Sequence, residues 1–185
     1  MAELPLLFDL DEDAWSARLD KVERWLATTR LLQGAYRRQL TATVGRISEP
    51  HIRSYLTDLR DGAREHESAV DDLSRAFGRK PASAGLARTV GATVLGTARE
   101  AIGHLEGAAA GASTGSWRSL RMLMLSNLDA ISGFAVTEQL GLALGVPGVV
   151  DITFPVLRRK TQDQLLLQEY LLEMASNALL LDKKL

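Results

Sequence analysis

The 185 residues are 46% apolar and 24% charged, an ordinary globular composition at the size of one domain, which favours neither a disordered chain nor a membrane protein. Lys and Arg number 22 against 23 Asp and Glu, with the two signs interspersed, so there is no basic field for a phosphate backbone and nucleic acid is not an expected partner. Cysteine is absent, which removes disulfides, thiolate metal sites and cysteine nucleophiles and leaves His, carboxylates and hydroxyls for any chemistry.

Residues 1–13, MAELPLLFDLDED, form an acidic N-terminal tail with no base, the reverse of a secretory signal, and a cytoplasmic location is expected. No run of about 18 uncharged apolar residues occurs, so a membrane is an unfavoured partner.

Asp13 is a good N-cap for a helix opening at Ala14. Its apolar line, Trp15, Leu19, Val22, Leu26, Thr29, Gln33, Tyr36, Leu40, alternates steps of four and three and is interrupted at mid-helix by Thr29 and Gln33. Gly45 ends it. A second helix begins at Ser48-Glu49-Pro50, where a proline near the first turn loses nothing, and follows Ile52, Leu56, Leu59, Ala63, His66, Val70, Leu73, Phe77. Gly78 and Pro81 close it.

Residues 82–116 are rich in Gly, Ala, Ser and Thr. The spacing of Leu86, Val90, Val94, Ala98, Ala101, Leu105 and Ala108 predicts a small-residue helix followed by a loop. Gly103, Gly107 and Gly111 would allow close backbone approach, although each glycine costs a helix about 1 kcal/mol. A third long helix opens at Trp117 with Leu120, Met124, Asn127, Ile131, Phe134 and Glu138 in line, until Gly145, Pro147 and Gly148 break it. The last helix is expected to start near Phe154 or Pro155, with Leu157, Gln164, Leu167, Leu171, Met174, Ala178 and Leu181 on one face. Leu165, Leu166, Leu172, Leu179 and Leu180 lie off that face, which suggests a central or interface helix. The expected fold is therefore all-α: one domain over 1–185, an antiparallel four-helix bundle with a long crossover carrying an extra helix between the second and third.

Each long helix places a polar or small residue near the middle of its stripe: Thr29, then Ala63 with His66, then Glu138, then Gln164. In this the chain resembles the ferritin-like two-metal carboxylate proteins, in which two helices each carry a Glu and the other two each carry Glu-x-x-His. LATTRLLQGAYRRQL is similar to the first such helix, with Thr29 in the slot of a Glu seven residues before Tyr36. DGAREHESAVDDLSRAFGRKP resembles the second, its Glu-x-x-His replaced by Ala63 and His66. GFAVTEQLGLALG resembles the third and keeps Glu138, while QDQLLLQEYL resembles the fourth with Asp163, Gln164 and Leu167 in place of Asp-Glu-x-x-His. Two of six ligand positions survive in that register, and a different register of the last helix would turn Glu169 or Glu173 inward.

One imidazole and one carboxylate are too few for a metal pair, so no metal or other cofactor and no catalytic residue is expected. His66 reads as a neutral core histidine, and a contact with Glu138, joined by Gln164 or Thr29, would satisfy both in a central polar layer that fixes helix register. His51 and His104 read as surface residues. The P-loop, Rossmann, zincin and nucleophile-elbow patterns are absent. Non-catalytic structural or interaction work as a homodimer or larger homo-oligomer is the expectation, and the resemblance adds a stress-related role. The alternative is an iron or manganese oxidase or storage protein using His66 and Glu138, with Glu65, Glu67, Asp163 or Glu169. A third reading makes residues 82–116 a lid or a membrane-surface contact.

Overall fold

A computed structural model describes residues 11–81 and 115–180, and their regular structure is helical throughout. The first helix, α1, spans Glu12–Val44. Its cap is Asp11, two residues before the expected Asp13, because the Asp11 carboxylate accepts the Ala14 N–H at 2.7 Å. Glu12 and Asp13 then occupy the first turn, where the helix dipole favours acids. The second helix, α2, spans Pro50–Ala76 and has its proline at the first position, as expected. It stops at Phe77 because Gly78 takes φ +68°, a left-handed turn that brings the Arg79 N–H to the Ser74 carbonyl.

The third described helix, α3, spans Gly115–Ala143, starting two residues before Trp117. The last, α4, spans Gly148–Leu180 and begins six residues ahead of the expected start, with Pro155 inside it. A proline there denies Asp151 a backbone donor. The helix forms regardless because Val149, Thr153 and Val156 already share its buried face, and that burial offsets the missing bond. The predicted small-residue helix and its glycines lie outside the described residues.

α1 packs against α2 and α3, α4 packs against the same two, and the diagonal pairs meet only through side chains reaching the centre. Ion pairs and hydrogen bonds show the direction of each neighbour. Trp25 meets Gly133 and Thr43 meets Ser119, so α1 and α3 are antiparallel, while His51 pairs with Glu173 across antiparallel α2 and α4. Short turns join α1 to α2 and α3 to α4. The run is up, down, down, up. α2 and α3 therefore point the same way from opposite corners.

Two apolar clusters fill the interior. One gathers Tyr36, Leu40, Ile52, Leu56, Leu120 and Leu167, the other Val22, Leu26, Leu73, Phe77, Phe134 and Val156. The break between them comes at Thr29 and Gln33 on α1, at His66 on α2 and at Lys160 and Asp163 on α4. Two glycines set the tightest helix contacts. A Cβ on Gly133 would lie 3.1 Å from Thr29 Cγ2, and one on Gly141 would lie 2.6 Å from Val149 Cβ. Among the described residues no helix is long and apolar enough to cross a membrane.

Candidate functional site

The inward line of α4 is Val149, Thr153, Val156, Lys160, Asp163, Leu167, Met174, Ala178. It carries a lysine and an aspartate, three residues apart, into the middle of the bundle. Lys160 is 1% exposed and Asp163 3% exposed. Lys160 Nζ donates to Asn127 Oδ1 at 3.3 Å and stands 3.9 Å from the centre of the Tyr36 ring, whose negative face attracts a cation. Asn127 is oriented for this by its own amide, which donates to the Lys160 carbonyl at 3.1 Å and to Gln164 Oε1 at 3.0 Å. Asp163 accepts the Tyr55 hydroxyl at 2.7 Å and both its oxygens accept from Arg159 Nε, at 3.0 and 3.2 Å.

These contacts have electrostatic consequences. Burial pushes the Lys160 ammonium down to about 7, with Asp163 opposing, so near neutrality the amine is poised between charged and neutral. Burial also raises the hydroxyls of Tyr36 and Tyr55, assisted at Tyr36 by the charge of Asp163 and at Tyr55 by the hydrogen bond to it, and both remain protonated. His66 is lowered to about 4, first by burial and then by the charges of Lys160 and Arg159, so the ring is neutral. The expectation of a neutral histidine agrees with this environment.

The four residues expected to share one layer are dispersed. Thr29 is buried, with Oγ1 3.1 Å from the Trp25 carbonyl and 3.2 Å from that of Gly133. Gln33, a turn further on, is the α1 residue that reaches the Ala63 carbonyl, at 3.0 Å. Glu138 accepts the Thr153 hydroxyl at 2.6 Å near the end of α3, about 16 Å along the helix from Asn127. Gln164 stays at the centre, bound to Asn127. No hydrogen bond joins His66 to Glu138, and His66 Nδ1 is sealed without a partner. The contact expected between them fails because the level of His66 is occupied by Tyr36 and by Arg159 and Asp163 of α4, while Glu138 lies toward the α3–α4 turn.

The other acids have separate roles. Glu67 pairs with Arg37, Glu173 with the exposed His51, and Glu65 lines a cavity beside His66. Glu169 is exposed, and His104 lies outside the described residues. Among the described residues no three of His, Asp and Glu converge as metal ligands.

Lys160 and Tyr55 were not picked out from the sequence. Their signal was present: Val149, Thr153, Val156, Lys160, Asp163, Leu167 keeps the same steps of three and four as the other seams. Lys160 was obscured by Arg158 and Arg159, which make it look like part of a solvated basic run. Among the described residues, fold and site define four packed helices, with no other regular structure, around a buried lysine–carboxylate centre. No family model, no curated protein and no solved structure matches the chain.

Proposed function

We propose that this protein is a ferritin-like bundle that works without a metal pair, as a non-catalytic structural or interaction protein. The observation that carries the reading is the Lys160 amine buried in the central break of the apolar core, with the Arg159 guanidinium paired to Asp163 beside it. A positive side chain at that level supplies by itself the charge that a bound cation would supply to Asp163, and it opposes a second cation. The up-down-down-up order of the described helices supports the ferritin-like part of the reading.

Metal analysis of protein purified with iron and manganese present tests this. Metal well below one equivalent per chain is expected, unchanged in His66→Ala and Glu138→Ala variants. Stoichiometric metal that either variant loses would overturn the proposal in favour of an oxidase or storage protein.

The interaction surface in this reading is on α4. Leu165, Leu172 and Leu179 are 60%, 66% and 55% exposed and recur every seven residues, the spacing of a helix–helix seam. They are three of the five leucines that fall off the buried face. A second copy of the chain is the partner they suit, since a stripe of one side-chain type is complementary to itself. Sedimentation should show a homo-oligomer that a Leu165→Glu/Leu172→Glu double variant converts to a monomer with unchanged helix content. A monomeric parent at micromolar concentration would remove this part of the reading.

A further inference from the structure

A cavity of about 230 Å3 opens between α2 and α4 beside the buried centre. Its volume is below the roughly 300–1,000 Å3 that holds drug-sized ligands, so only a small molecule fits. Tyr36 lines it. That side chain is 2% exposed, yet among the described residues its hydroxyl has no hydrogen-bond partner and it is not among the sealed polar atoms, so it faces the cavity space. His66 is a second unused group. Its Nδ1 is sealed without a partner, and a sealed lone pair costs less than a sealed N–H, which places the ring proton on Nε2 where the cavity can use it. On the α4 wall, Arg159 binds Asp163 through Nε, and its terminal nitrogens have no acceptor among the described residues.

Charge is unevenly divided across this space. The inner end presents three donors, and Arg159 and Lys160 make its potential positive. Asp163 adds little free acceptor capacity there, being engaged by Tyr55 and Arg159. The α2 wall carries Asp58 and Glu65, both exposed and without an ion-pair partner among the described residues. Gly62, between them in sequence, leaves open space where a side chain would project.

We infer that this cavity binds a small zwitterion, a short amino acid, with its carboxylate on Tyr36, His66 Nε2–H and Arg159 and its ammonium against Asp58 and Glu65. The inference stands apart from the metal-free reading, because the site uses no metal and its failure would leave the metal analysis untouched.

Calorimetric titration of the full chain with glycine and β-alanine tests it, with acetate and methylamine as probes carrying one charge each. At least one amino acid should bind saturably, and both single-charge probes should bind about tenfold more weakly. Tyr36→Phe should lose about five- to tenfold in affinity with no loss of thermal stability, since the hydroxyl it removes has no partner. Glu65→Gln should weaken the amino acid and leave acetate unchanged. Binding should also move the His66 ring resonances. The inference is overturned if neither amino acid saturates, if acetate binds as well as both, or if Tyr36→Phe binds like the parent.

Discussion

Unfolding free energy should rise by about 3 kcal/mol between pH 7 and pH 9.5, and the rise should vanish in Lys160→Met. The sign follows from the lysine. Its ordinary value of 10.5 falls to about 7 in the folded chain, so between those two values the unfolded chain holds a proton that the folded chain has released. Stability therefore increases with pH through that window. Below about pH 7 both states are protonated and the full cost of burying an ammonium is present. Above pH 10 the gain ends, because the hydroxyls of Tyr36 and Tyr55 are raised and resist the ionisation that the unfolded chain undergoes freely. On the acid side His66 adds a further loss as pH drops from 6.5 toward 4, since the folded ring accepts its proton only at the lower value.

Methionine keeps most of the lysine's length and none of its charge, so Lys160→Met should be most favourable, relative to the parent, at neutral and lower pH. That difference should shrink steadily toward pH 10. Denaturant melts of both proteins at several pH values make the measurement. Equal slopes for parent and variant would show that the amine is not held out of water.

The second large effect is expected at Asp163. Removing it in Asp163→Ala takes the acceptor from the Tyr55 hydroxyl and from Arg159 Nε and leaves the Lys160 ammonium without its nearby carboxylate. The loss should be about 1–3 kcal/mol, set mainly by the Tyr55 hydroxyl left unpaired, because half-exposed Arg159 regains water and Lys160 can shed its proton near neutrality. Asp163→Asn separates the contributions. The amide oxygen can still accept from Tyr55, so the loss should be smaller, while the missing negative charge lowers the lysine further and extends the rise of stability with pH below pH 7. Urea melts at pH 7 rank the three proteins, and an Asp163→Ala variant as stable as Asp163→Asn would mean that the hydrogen bonds to Tyr55 and Arg159 contribute little.

Helix existence was legible residue by residue. The stripe Ile52, Leu56, Leu59, Ala63, Val70, Leu73, Phe77 is buried as the spacing predicts, and Pro50 and Gly78 mark the ends of α2 as their backbone preferences require. Boundaries were less so: Asp11 takes the cap expected of Asp13, since either carboxylate can accept a first-turn N–H and spacing alone does not choose between them. Pro155 reads locally as a helix start, because its backbone preference is strong. Burial of Val149 and Val156, which involves residues distant in sequence, outweighed it.

Local pattern thus determined that the described segments are helical, where their apolar stripes run, and that polar or small side chains interrupt them. Periodicity reports such facts directly, since a helix repeats every 3.6 residues whatever its neighbours are. Which interruptions meet was decided by tertiary structure alone. A helix can slide by a turn along its partner and keep an equally good stripe, so sequence spacing leaves the level of Thr29, Glu138 and Lys160 undetermined. Packing fixed it, with Gly133 seated against Thr29 and Gly141 against Val149, and that register brings a lysine and an aspartate to the centre while carrying Glu138 toward the end.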